Sequence, residues 1–232
     1  MPTVYVFAGQ KGGAGKSTMA IAVAAELMAR GRKVLLVDAD PQGTSTTWAD
    51  VAAEAGHATP TVVSMGANMH RPGQLDTVAK PFDVVVDCPP RHGEIMRAAL
   101  MVADVAILPC GPSAVDAWAL GESLDVLAQA RTLKPEIKAC VVITRKVART
   151  ALGKNAREVV AASGLPVLGA ELHYRVAYQE APAAGLGVVQ YAAGTPAATE
   201  VQALVTELET FNTTGAVSHE QQASGDASQA VA

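Results

Sequence analysis

Two lysines frame a run of glycines in Lys11-Gly12-Gly13-Ala14-Gly15-Lys16-Ser17-Thr18, and the spacing suits a phosphate group. The run follows the apolar stretch Val4–Ala8 and precedes a helix-like stretch. A strand, a glycine turn and a helix in that order aim successive backbone N–H groups and a helix N-terminus at one anion. Lys16 adds a point charge for β- and γ-phosphates, and the Ser17 hydroxyl suits Mg²⁺. An ordinary phosphate loop carries a glycine five positions before Gly15, where this chain has Gln10. Lys11 is then surplus to holding the chain's own phosphates, and a cation at the loop entrance is free to serve a neighbouring subunit.

Two acidic segments complete the set. Val37-Asp38-Ala39-Asp40-Pro41-Gln42-Gly43 ends a strand-like run, where Pro41 stops the strand. Asp38 and Asp40 are expected to differ in role. The run Phe82-Asp83-Val84-Val85-Val86-Asp87 ends in an acid that would hold a Mg²⁺-bound water, since Mg²⁺ keeps much of its hydration shell. Cys88-Pro89-Pro90 then leads stiffly into Arg91-His92-Gly93.

Alternating elements must position these residues. Strand-like runs fall at 4–8, 33–38, 61–64, 82–87, 105–109, 139–144 and 166–169. Helical stretches fall between and after them at 17–30, 44–55, 71–79, 94–101, 113–132, 150–163 and 197–210. The alternation predicts crossover connections and a mostly parallel twisted sheet, and nearly continuous apolar strands predict helices on both faces. One α/β domain is expected over 1–211. The Thr, Gly, Ser, Gln and Ala of 212–232 predict a disordered tail.

The chain has 232 residues, half of them hydrophobic, which suffices for one sizeable core. Its net charge of −4 does not favour nucleic acid as a whole. Any such site must be local, and Arg145, Lys146, Arg149, Lys154 and Arg157 form a run without an acid. Lys154 and Arg157 are three apart and fall on one helix face, and Arg175 joins them after the next strand. Such a patch suits the phosphate backbone of double-stranded DNA, with affinity from counterion release and no base readout. No aromatic residues interleave to stack single strands. Cys88, Cys110 and Cys140 are widely spaced, and Met1 leads straight toward a strand, so buried thiols and a cytoplasmic location are expected.

The run Lys11–Thr18 resembles the deviant Walker A motif of ParA/MinD-type ATPases. The chain is most similar to the short partition and positioning ATPases that lack an N-terminal DNA-binding extension. The segments 112–118, 149–154 and 175–178 extend the likeness to about Phe211. The resemblance implies a single P-loop NTPase domain that uses ATP and Mg²⁺. It implies that Lys11 reaches a partner's ATP, that Asp40 positions the attacking water, and that Asp38 lies near the metal shell with Ser17 and Asp87. The loop at 91–93 looks like the γ-phosphate switch. The implied cycle is an ATP-bound homodimer on non-specific, nucleoid DNA, released after a ParB-like or other cargo adaptor stimulates hydrolysis. The cargo is a plasmid, a chromosome region or a microcompartment such as the carboxysome.

Three alternatives share the fold. A MinD-like membrane-cycling regulator needs a basic amphipathic C-terminal helix, yet no Lys or Arg follows Arg175, so no membrane partner is expected. A P-loop metabolic synthetase needs a second substrate pocket and has no use for Lys11. An iron–sulfur ATPase needs paired cysteines at a dimer axis, and Cys110 is the one candidate.

Overall fold

The computed structural model describes residues 2–217. Seven strands, β1 (Val4–Phe7), β2 (Val34–Asp38), β3 (Thr61–Ser64), β4 (Asp83–Asp87), β5 (Val105–Cys110), β6 (Lys138–Lys146) and β7 (Val167–His173), form one sheet of order β3-β2-β4-β1-β5-β6-β7. Every pairing is parallel. The helices are α1 (Lys16–Ala29), α2 (Thr44–Glu54), α3 (Leu75–Val78), α4 (Gly93–Val102), α5 (Ala114–Trp118), α6 (Gly121–Leu133), α7 (Ala151–Ala161), α8 (Ala177–Ala183), α9 (Val188–Tyr191) and α10 (Pro196–Thr214).

Residue alternation along the strands builds two cores. Val6, Leu35, Val84, Val86, Ala106 and Val141 point to the face covered by α4, α6 and α7. Tyr5, Phe7, Leu36, Val85, Ile107 and Val142 point to the face covered by α1 and α10. Both faces of the central strands are covered, so β1, β2, β4 and β5 read as nearly unbroken apolar runs. Alanines in α1 permit close approach to the sheet, and all of Met19–Leu27 is buried.

β1 lies between β4 and β5, so the chain's winding reverses there. Open α/β sheets bind ligands outside the carboxyl ends of the strands at such a switch point. Register sets Phe7 and Asp38 on either side of Asp87 at that edge. The topology is that of one doubly wound, wholly parallel α/β sheet.

Some elements differ from expectation. The 71–79 stretch keeps only the short α3, because Pro72 and Gly73, the latter at φ 83°, turn the chain first. The 113–132 stretch breaks into α5 and α6, and the break lets Ser123 accept the Gln10 N–H at 3.0 Å. α8 and α9 were not expected. They carry Ala181 and Val188 against Ala22 of α1. α10 runs through Asn212 to Thr214 and ends at Gly215, whose φ of 72° suits a C-terminal cap. Of the expected tail, 218–232 lies outside the described residues.

Candidate functional site

The loop between β1 and α1 turns with Gly13 at φ 71° and Gly15 at φ 95°, values that side chains with a Cβ resist. Gly15 is the N-cap of α1 and supplies no side-chain cap. From Lys11 to Thr18 no main-chain N–H has a protein acceptor among the described residues. The first turn of α1 thus offers a set of open donors, which is what a bound phosphate requires. Lys16 is buried and donates to the Lys11 carbonyl at 3.0 Å. Burial lowers its pKa from the ordinary lysine value, against the opposing pull of Asp87 and Asp40. A phosphate oxygen entering the cradle would replace that carbonyl. Thr144 at the end of β6 fixes the loop from beneath, its hydroxyl donating to the Ala14 carbonyl at 3.0 Å.

Lys11 goes elsewhere. Its ammonium pairs with Asp116 of α5 at 2.7 Å. Arg145, itself in the left-handed region at φ 53°, shares the same carboxylate oxygen at 2.9 Å. Ser113 and Asp116 form a reciprocal capping box at the start of α5. A Cβ at Gly111 would run into both the Asp116 carboxylate and the Arg145 guanidinium, so the triad depends on that glycine. Burial would raise the Asp116 pKa, but the bonds from Lys11 and Ser113 hold it below the usual carboxylate value.

Asp87 is fully buried at the end of β4. Ser17 donates to one of its oxygens at 3.1 Å and Ser45 to the other at 2.9 Å. Burial pushes its pKa up to about 7, even though both hydroxyl bonds pull it down. A hydroxyl that gives its proton to a carboxylate keeps its lone pairs. Ser17 and Asp87 therefore fit a Mg²⁺ site, in which one hydroxyl, one carboxylate, phosphate oxygens and water suffice. Among the described residues there is no cluster of three or more His, Cys, Asp or Glu that could hold a metal by itself.

Asp38, expected near the metal shell, sits beside Asp87 on the neighbouring strand and holds the loop that follows. One oxygen accepts from the Thr46 N–H at 2.8 Å and the Thr46 hydroxyl at 2.9 Å. The other accepts from the Asp40 N–H at 3.2 Å. Its carboxylate caps α2 and holds the Asp40 loop, a favourable place for negative charge beside a helix N-terminus. Asp40 accepts the Gln42 N–H at 2.9 Å and lines an open groove with Asp38, Thr46 and Ile95.

The expected basic patch divides. Lys146 pairs with Glu171. Arg157 is turned inward onto the carbonyls of Val167 and Leu168, at 3.1 and 2.7 Å, as well as onto Glu171. Arg175 pairs with Glu200 at 2.6 Å. Arg145 serves Asp116. Only Arg149 and Lys154 of the six are exposed with no side-chain partner among the described residues. The reason is long-range: the sequence supplies no acid within 145–157, but β7 and α10 bring Glu171 and Glu200 alongside.

A cleft of about 230 Å³ opens between Gly13, Gly15 and Thr18 on one side and Arg145, His173, Tyr174 and Arg175 on the other. All three cysteines are free and buried, and Cys110 donates to the Gly111 carbonyl inside the core. Among the described residues no helix is long and apolar enough to cross a membrane. Sequence reasoning missed Asp116 in its pairing role, and it missed Thr144, Thr46 and Ser45. The hydroxyl-rich start of α2, Thr44-Ser45-Thr46, was the available signal.

A profile of CobQ/CobB/MinD/ParA nucleotide binding domains matches residues 5–188. The maintenance of carboxysome distribution protein A of Halothiobacillus neapolitanus is 34% identical over 203 residues, covering 85% of this chain and 92% of that protein. The cell division ATPase MinD of Pyrococcus furiosus superposes with a TM-score of 0.72 at 21% identity, over 91% of this chain and 100% of that one. Cobyrinic acid a,c-diamide synthase of Mycobacterium smegmatis, with bound ATP analog and magnesium, also gives 0.72, at 23% identity over 93% of this chain and 97% of that one.

Proposed function

The chain belongs to the CobQ/CobB/MinD/ParA nucleotide-binding family, and we propose that it is an ATP-driven switch that positions a cargo on DNA. The observation that carries this reading is the separation of the two loop lysines. Lys16 is buried inside the cradle, whereas Lys11 is turned out of it onto Asp116. A lysine at the entrance that its own cradle does not use is available to a neighbour's nucleotide.

ATP is the nucleotide. Its phosphates take the open N–H groups of 11–18 and the Lys16 ammonium, and its base enters the cleft beside Arg145 and Tyr174. Ser17 and Asp87 would hold Mg²⁺, which would supply charge neutralisation on the phosphates. Asp40, at the rim and on a loop fixed by Asp38, orients the attacking water. Lys11 leaves Asp116 for the partner's γ-phosphate when two protomers meet, and Arg145 remains to neutralise the acid. Val115 and Trp118, the latter 75% exposed, stand on the helix that carries Asp116 and add apolar surface to the meeting face.

DNA contact falls to Arg149 and Lys154 on the ATP-bound homodimer, without sequence preference. A cargo adaptor accelerates hydrolysis and release. The kinship with the Halothiobacillus protein favours a microcompartment such as the carboxysome as cargo, with plasmid and chromosome partition as the related roles. The protein then resides on the nucleoid. The deciding experiment measures sedimentation and DNA retention with a non-hydrolysable ATP analogue, with ADP and without nucleotide. An analogue-dependent dimer retained on DNA supports the switch. A monomer in all three states overturns it. Retention on anionic vesicles in place of DNA would point to membrane cycling.

A further inference from the structure

Ser45 has no part in the motif reading, yet its hydroxyl donates to Asp87 at 2.9 Å and the residue is wholly buried. It occupies the first turn of α2, immediately after the loop that carries Asp40. The Asp87 carboxylate is thus gripped on both oxygens, by Ser17 from α1 and by Ser45 from α2. Thr46 next to it grips Asp38, the register partner of Asp87 on the neighbouring strand.

We propose that Ser45 is a positioning residue for the Mg²⁺ site. The proposal rests on the nucleotide reading above. An aspartate side chain has a broad, roughly two-fold preference about its outer torsion, so one hydrogen bond leaves the carboxylate plane loosely set. Ser45 supplies the second point and fixes that plane. The Asp87 oxygen facing Ser17 then directs the Ser17 proton, and the Ser17 lone pairs face the cradle. Ser45 therefore acts through Asp87 and Ser17 and touches neither nucleotide nor metal. Because it lies on the helix that follows the Asp40 loop, order at the metal site and order at that loop share one support.

The test uses the full chain and a fluorescent ATP analogue. Its affinity is measured in EDTA, and the Mg²⁺ concentration giving half of the metal-dependent gain is then found by titration. For Ser45→Ala the Mg²⁺ midpoint should rise about tenfold, the usual scale for losing a partner of a metal ligand. Affinity in EDTA should stay unchanged. Ser45→Cys keeps the volume with a weaker donor and should fall between; it carries the same test if the alanine variant does not fold. An unchanged midpoint overturns the proposal. So does an equal loss of affinity in EDTA, which would mark a purely structural role. If nucleotide binding by the wild type ignores Mg²⁺, the metal site and with it this proposal fall while the nucleotide reading stands; if the wild type binds no nucleotide at all, the nucleotide reading itself falls.

Discussion

Lys11 and Lys16 stand in one short loop but meet different surroundings. Lys16 is desolvated beside Asp87, so a phosphate gains a buried cation as well as a set of N–H donors. Its replacement by alanine should weaken ATP binding by about 10–100-fold in direct titration, the scale of a lost charged hydrogen bond. Lys11 is one third exposed, and its pair with Asp116 is worth little in screened solvent. Lys11→Ala should therefore keep ATP affinity within about twofold while abolishing the analogue-dependent dimer in sedimentation. A variant that still dimerises removes the role across the interface. Asp116→Asn lowers the cost of releasing Lys11 and should raise the dimer fraction by about threefold, as expected of a weak ion pair. The phosphate cradle was legible because its chemistry lies within eight adjacent residues, 11–18. The partners of those residues were not. Asp116 lies 105 positions from Lys11, and Thr144 lies 130 from Ala14. Only the closing of the sheet brings them together.

The central strands were legible as elements because a sheet covered on both faces leaves few polar positions inside them. α8 and α9 were not, since seven and four residues are too short for a helical stripe, and α8 even contains Pro182. Their existence depends on α1, whose Ala22 they cover. The end of β7 shows how such late elements are tied down. Glu200 of α10 accepts from Arg175 at 2.6 Å, from Tyr178 at 2.8 Å and from His173 at 2.8 Å. Burial would raise its pKa, but these donors hold it below the ordinary value of 4.5. An acid whose folded pKa is depressed adds stability that is fully present above the unfolded pKa and disappears as pH falls through the folded one. Glu200→Gln should cost about 2 kcal/mol in urea melts at pH 7, the scale of a charged hydrogen-bond network only partly exposed to solvent. The gap from wild type should narrow steadily below the ordinary value of 4.5. A gap independent of pH would mean that Glu200 acts by packing and not by charge.

At the scale of the whole molecule, charge limits what one protomer does. The net charge of −4 gives no general attraction to DNA, and four of the six cations expected to contact it are engaged with Asp116, Glu171 or Glu200. Arg149 and Lys154 remain, on the turn before α7 and on its first turns. Each phosphate neutralised contributes about 0.9 to the slope of log affinity against log salt. On the proposed reading, two cations would give a protomer a weak, easily screened grip. A dimer would present two such pairs and roughly double the slope, so pairing by itself would convert nucleotide state into DNA retention without any change within the patch. Arg149→Glu with Lys154→Glu should therefore abolish retention of the analogue-bound dimer at about 0.1 M salt, where screening already reaches about 10 Å. ATP affinity and the dimer should survive, because neither residue enters the cradle. Arg157→Glu is a different matter. Its guanidinium holds the β7 carbonyls, so that variant should lower the melting temperature first, and any loss of DNA binding in it reports on folding. Retention of the double variant equal to wild type, at matched salt across a titration, would move the DNA surface away from α7 and leave the nucleotide switch intact.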